Sequence, residues 1–146
     1  MKHEEKDSDH LMKLTIEQVL QQGVTAHKKG KLQEAERFYK AILQRQPNHP
    51  DANHNLGLIT ISMNQIEAAL PLFRTALEVN PDIEQFWVSY IDALLIANQL
   101  KDAKEAIKKA KDKGFDANKL NMLLSKSIGA SEIISPSQTQ LNRLLE

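Results

Sequence analysis

The sequence predicts an all-α fold in which three antiparallel helix pairs stack as a right-handed α-solenoid, followed by C-terminal capping helices. Shifting the sequence by 34 residues aligns EAERFYKAILQRQP (34–47) with AALPLFRTALEVNP (68–81). Glycine or asparagine recurs with the same period where the chain must reverse, and no segment has the pattern of a strand. A fixed period of this length is the signature of stacked supersecondary units.

Start signals mark several of the expected helices. Thr15 and Gln18 form a capping box, in which each side chain satisfies an exposed backbone N–H near the helix start. Pro50 and Pro81 stand where later helices are expected to begin, since a missing N–H is harmless in a first helical turn. Pro71 falls inside a predicted helix, where we expect a mild kink or a late helix start.

The reversal inside each pair is expected at Gly30, Asn64 and Asn98, which lie 34 residues apart. These residue types tolerate the left-handed conformation that ends a helix. The predicted helices, by residue number, are 15–29 and 33–46, 50–63 and 66–79, and 82–97 and 100–113.

Small residues predict close packing inside each pair. Gly23 and Gly57 on first helices should let the backbones approach Tyr39 and Phe73 on second helices. In the third unit Ile91 replaces the glycine. The aligned small and aromatic positions therefore favour one repeated packing unit.

These residues resemble the tetratricopeptide pattern Trp-x2-Leu-Gly-x2-Tyr, then Ala-x3-Phe, then Pro. The second unit matches it through Leu56, Gly57, Ala69, Phe73 and Pro81, the first through Gly23, Ala35, Tyr39 and Pro47, and the third through Trp87 and Ala103. The resemblance covers about residues 16–117 and implies a protein-binding scaffold. Segments 51–57 and 136–146 are also similar to the N-terminal repeat regions of bacterial O-GlcNAc-transferase-like or sulfotransferase-linked tetratricopeptide proteins.

Composition removes several other function classes. Lysine plus arginine equals aspartate plus glutamate at 19 each, so we expect neither nucleic acid nor a membrane as partner. Cysteine is absent, and the first 14 residues are too charged for a signal peptide, which favours a cytoplasmic protein. No catalytic motif is found, and the five histidines lack a third metal ligand. We expect no cofactor, no metal and no enzymatic activity.

The resemblance implies a concave groove lined by first helices and binding a peptide or helix of a protein partner. The groove residues that it implies are Leu20, Gln21, Val24, His27, His54, Asn55, Leu58, Ile61, Val88, Ser89, Asp92 and Leu95. One binding mode of the family is a carboxylate clamp, in which lysines, asparagines and an arginine at five groove positions hold a terminal carboxylate. Of those five positions in this sequence, only Asn55 carries the required residue type. The other binding mode is a ladder of side-chain amides that bind the backbone of a target polypeptide. In this sequence its positions carry Gln21, Asn55 and Ser89. The alternative is that the polar side chains are simply solvated and the apolar ones pack helices.

The C-terminal region should cap the stack. Leu120, Leu123 and Leu124 share one face of a helix expected over 118–126, which Gly129 should end. The predicted division is a flexible segment at 1–14, the repeat domain at 15–129, and a linker with a C-terminal helix at 130–146. That helix could support self-association or dock in the groove. Alternatively, the chain is the substrate-recruiting N-terminal repeat region of a larger glycosyltransferase or sulfotransferase.

Overall fold

The computed structural model describes residues 13–134, which contain seven α-helices and no strand. The helices are α1 (Ile16–Lys28), α2 (Leu32–Arg45), α3 (Pro50–Ser62), α4 (Ile66–Val79), α5 (Glu84–Ile96), α6 (Leu100–Asp112) and α7 (Ala117–Ile134). The prediction of an all-α fold is confirmed, and the bounds of the first six helices agree with the sequence to within about two residues.

The helices pack as neighbours along the chain. The pairs α1–α2, α3–α4 and α5–α6 are joined by contacts of α2 with α3 and of α4 with α5. Helix α7 packs against α5 and α6. Each pair therefore makes its main contacts with the units next to it, as in a repeat solenoid. The buried residues form two apolar clusters, one around α1–α3 and one around α4–α7.

The three expected turn residues do adopt left-handed backbone conformations. Gly30 has a φ of 77°, Asn64 of 61° and Asn98 of 60°. The residue after each turn donates its N–H to a carbonyl five residues back, which satisfies a helix-terminal acceptor. These bonds are Lys31 to Ala26, Gln65 to Thr60 and Gln99 to Leu94, at 2.9, 3.0 and 2.8 Å. The reversal prediction is confirmed.

The close approach of the paired helices is also confirmed. A Cβ atom at Gly23 would lie 2.7 Å from Cε1 of Tyr39, and one at Gly57 would lie 2.6 Å from Cε1 of Phe73. Both rings are fully buried. Any side chain at either glycine would therefore push against a ring that is already packed on all sides.

The helix starts agree with the sequence at Thr15 and Pro50 but not at Pro81. The capping box at Thr15 is formed, and Pro50 is the first residue of α3. Pro81 instead precedes α5 by three residues, and its carbonyl accepts a hydrogen bond from Nε1 of Trp87 at 2.7 Å. Pro81 is the equivalent of Pro47, one period earlier, and both prolines belong to the connection between pairs rather than to the helix that follows.

Pro71 lies inside α4, which starts five residues earlier at Ile66, so of the two expected outcomes, a mild kink or a late start, the late start does not occur. The proline ring is on the exposed side of the helix, as is Glu67, whose carbonyl has lost its usual N–H partner. Water can satisfy that carbonyl, so the helix continues. The hydroxyl of Thr75 donates to the Pro71 carbonyl at 3.0 Å one turn later.

Helix α7 caps the third pair, as predicted. Leu120 is buried against α5 and α6, and Leu123 and Leu124 are half-buried beside it. The helix continues through Gly129 to Ile134, so the expected end at this glycine is wrong. One glycine disfavours a helix by only about 1 kcal/mol, which its neighbours can offset. Residues 1–12 and the C-terminal helix expected within 135–146 lie outside the described residues.

Candidate peptide-binding groove

The first helices of the three pairs place a line of apolar side chains on one face. We call these residues the apolar row; each is half-buried, and they are Leu20, Val24, Leu58, Ile61, Val88 and Leu95. Helices α1, α3 and α5 contribute two of these residues each. All of them except Val88 pack against the two apolar clusters. The exposed part of each side chain leaves apolar surface on this face of the molecule.

Two of the twelve predicted groove residues are buried instead of lining a surface. His54 and Ser89 are each only 6% exposed, and Nε2 of His54 lies 2.8 Å from Oγ of Ser89. The expectation that they face an open groove is therefore wrong. Helices α3 and α5 pack directly against each other, and this contact encloses both side chains.

The imidazole of His54 is packed among aromatic rings. Its ring lies between those of Phe73 and Phe86, at centroid distances of 5.6 and 4.7 Å. Burial lowers the pKa of His54, and the smaller effects of the Asn55 hydrogen bond and the Asp51 charge oppose it. The apolar surroundings therefore disfavour an imidazolium between α3 and α5.

The remaining polar groove residues are nearer the surface. Gln21 and Asp92 are exposed, and His27 and Asn55 are half-buried. Burial raises the pKa of Asp92, and the positive charge of Lys126 on α7 lowers it in opposition. Asp92 interrupts the apolar row because it stands at the repeat position of Val24 and Leu58.

A second polar contact links the first pair to the same face. Nδ1 of His27 lies 3.2 Å from the hydroxyl of Tyr39, and the two rings meet edge to face. Burial raises the pKa of Tyr39, and a hydrogen bond from the Asn55 side chain opposes that effect. Burial also lowers the pKa of His27. Asn55 follows His54 in α3, and its Oδ1 lies 3.2 Å from Nδ1 of that histidine.

Two clefts lie away from the apolar row. One of about 480 Å³ lies along α1 and α2 and includes Gln21, while one of about 580 Å³ lies between α4 and α6 above Trp87 and Tyr90. The second cleft was not predicted. The residue that indicates this cleft is Ala106, which occupies the repeat position of Leu72. Its smaller side chain leaves space between the helices.

The described residues offer no arrangement typical of a metal site or a membrane anchor. Among them, no three histidine, aspartate or glutamate side chains come together as a metal-ligating set. None of their helices combines the length and hydropathy needed to cross a bilayer. The chemistry that this face can perform is hydrogen bonding and apolar contact.

Comparisons with solved structures support the observed architecture. The yeast Sti1 TPR2B domain, solved as a pHsp70 complex, superposes with a TM-score of 0.69 at 16% identity, covering 79% of this chain and 97% of that one. The translocator chaperone SycD of Yersinia enterocolitica gives 0.70 at 16% identity, covering 81% and 86%. A mutant Thermobaculum terrenum O-GlcNAc transferase gives 0.68 at 21%, covering 77% of this chain but only 22% of that protein. These likenesses concern the fold.

Family comparison agrees with the repeat read from the sequence. No curated protein matches the chain. The tetratricopeptide repeat family model matches residues 26–82, which include the second pair and most of the first. The third pair lies outside that match and carries Ile91 in place of the glycine. Its helices nevertheless pair and stack in the same way. Residues 26–82 are thus similar to the tetratricopeptide repeat family, and the whole described stack has the fold of the solved structures above.

Proposed function

We propose that this chain is a protein-interaction module that binds a peptide or helical segment of a partner protein along the apolar row. The observation that carries the proposal is the row itself, in which half-buried apolar side chains from three helices share one face. Such a face takes the apolar side chains of an extended peptide or an amphipathic helix. Asn55 adds a polar contact in the middle of the row.

The structural neighbours support a protein partner. SycD is by name a translocator chaperone, and the Sti1 domain was solved as a complex with pHsp70. The residues of this chain differ from a carboxylate clamp, since Leu20 and Val24 stand where that clamp has a lysine and an asparagine. We therefore expect recognition through side chains and peptide groups within a segment rather than through a terminal carboxylate.

The test is selection of a ligand followed by paired substitutions. The full chain is panned against a phage-displayed library of random peptides, and the tightest peptide is measured by fluorescence polarisation. Asn55→Ala with Leu58→Ala should weaken binding about tenfold or more, since a buried apolar contact and a hydrogen bond are both lost. Val79→Ala, at a residue 48% exposed outside the row, is the matched control. Equal binding by the double variant and the control would refute the proposal.

A second candidate function follows from the O-GlcNAc transferase likeness. In that protein the matched region is 22% of the chain, so the same fold occurs there as part of a longer enzyme. This chain would then recruit substrates for a glycosyltransferase or sulfotransferase domain encoded after residue 146. Reading the gene beyond that position separates the two functions, and a stop codon there would remove the second.

A further inference from the structure

One residue of the first-helix face departs from the apolar row. The repeat position held by Val24 in α1 and Leu58 in α3 is held by Asp92 in α5. On its own helix, Asp92 lies one turn from Val88 and Leu95, which both belong to the row. A carboxylate therefore stands among apolar side chains on the face proposed to hold a partner.

The carboxylate of Asp92 is exposed and has no hydrogen bond or ion pair with any described residue. The other carboxylate of α5 does have a cation, since Nζ of Lys119 lies 3.0 Å from Oε1 of Glu84. Lys126 of α7, at the repeat position of Asp92, acts on it through its charge and forms no ion pair with it. Asp92 can therefore accept a donor from outside the described chain.

The surroundings of Asp92 favour a second cation. Burial raises the pKa of Asp92, and the positive charge of Lys126 opposes this effect. A partner segment lying along the row would remove further water from the carboxylate and so increase the cost of its charge. A lysine or arginine in that segment would offset this cost, whereas an apolar side chain would not.

The first helices together carry charge of the same sign as Asp92. The chain as a whole is neutral, but α1, α3 and α5 contain four carboxylates and one lysine. The second helices α2, α4 and α6 contain seven carboxylates and nine lysines or arginines. Burial also lowers the pKa of the two first-helix histidines, His27 and His54. The first helices are therefore net acidic, which attracts a basic partner segment.

We propose that Asp92 is a specificity-determining residue that binds a lysine or arginine of the partner segment while the apolar row holds its apolar side chains. The segment recognised is thus amphipathic and basic. An acidic residue at that point would be repelled, and a wholly apolar segment would leave a desolvated carboxylate unpaired. This inference rests on the proposed function and names the chemistry of the partner.

The first experiment compares the peptides that different versions of the chain select. A phage-displayed library of random peptides is panned against the wild type and against Asp92→Asn, which keeps the shape of the side chain and removes its charge. Lysine or arginine should be enriched with the wild type and should lose that enrichment with Asp92→Asn. Asp102→Asn, at an exposed position of α6, is the matched control and should select as the wild type does. Equal basic content in all three selections would overturn the inference.

The second experiment measures the coupling between Asp92 and the peptide. Each basic residue of the tightest wild-type peptide is replaced in turn by methionine, and binding to the wild type and to Asp92→Asn is measured by fluorescence polarisation. One replacement should lower the affinity for the wild type about threefold to tenfold and leave the affinity for Asp92→Asn unchanged. This difference should shrink as sodium chloride rises from about 0.05 M to about 0.5 M, because salt screens the ion pair.

Lys126→Met tests the same ion pair in the opposite direction. It removes the cation of this chain whose charge acts on Asp92, so the basic peptide should bind about twofold more tightly. An unchanged or weaker affinity would mean that the two cations do not compete for Asp92, which would overturn the inference. Thermal melting checks that both variants are folded, as expected for exposed side chains without hydrogen bonds to described residues.

The outcomes separate this inference from the proposed function. Peptides that lose affinity for the double variant Asn55→Ala with Leu58→Ala, but show no coupling to Asp92, overturn the inference and leave the binding function intact. Peptides that depend on both the apolar row and Asp92 support both. Failure to select any peptide, or equal binding to the double variant and the wild type, would refute the proposed function and this inference with it.

Discussion

Replacing Gly57 with alanine should destabilise the fold, although alanine is the better helix former. The substitution gains about 1 kcal/mol of helix propensity. The added Cβ would lie 2.6 and 2.8 Å from two ring atoms of Phe73, a side chain that is 0% exposed and cannot move without disturbing its neighbours. Overpacking of this kind costs about 1–3 kcal/mol, and the short distances favour the upper end. The expected net loss is about 2 kcal/mol.

Urea denaturation followed by far-UV circular dichroism measures this loss. Gln22→Ala, at an exposed position in α1, is the control and should change stability by less than about 0.5 kcal/mol. The partner substitution Phe73→Leu should restore part of the stability of Gly57→Ala, because it removes the ring that the Cβ meets. A favourable coupling of about 1–2 kcal/mol is expected in the double variant. A Gly57→Ala protein as stable as the wild type would refute the steric reasoning.

Three further predictions concern side chains whose contacts are local. Burial lowers the pKa of His27 and His54 below 6.5, so the unfolded chain binds these protons first as the pH falls. The free energy of unfolding should then be constant above about pH 6.5 and fall below it. The difference between the melting temperatures at about pH 8 and pH 5 should be smaller in His54→Phe than in the wild type. Thr15→Ala breaks the capping box and should cost about 1 kcal/mol in urea denaturation, whereas an unchanged midpoint would mean that α1 does not depend on its cap. Asn64→Ala should cost about 1 kcal/mol because φ is 61°, and Asn64→Gly should be neutral or stabilising; the opposite order would contradict the left-handed turn.

Most of the scaffold could be predicted because its determinants recur. Gly30, Asn64 and Asn98 share one backbone requirement at one interval, and so each supports the interpretation of the others. The glycines that admit Tyr39 and Phe73 recur in the same way. Pro81 was misplaced although the 34-residue shift aligns it with Pro47, because proline also suits the first turn of a helix. In the second unit that first-turn position is held by Pro50, which the third unit has no proline to match.

The contacts of the candidate site could be predicted only in part. The repeat positions placed His54 and Ser89 on the groove face, but whether a side chain there is open or enclosed depends on how closely successive first helices approach. That distance is a tertiary property, and here it buries both residues. The extension of α7 through Gly129 was missed for a related reason. A glycine is a weak stop signal when the residues after it continue the helix.

The packing of this chain also depends on residues that do not recur with the repeat. His54 occupies the repeat position held by Leu20 in the first pair and Val88 in the third, where an apolar side chain suffices for packing. An imidazole there needs a hydrogen-bonding partner at each nitrogen, and the fold provides both with Ser89 and Asn55. A fully satisfied polar group between helices adds specificity of register more than stability. Side chains that depart from the repeat while keeping their hydrogen bonds, such as His54, therefore make the contact between α3 and α5 specific to this chain.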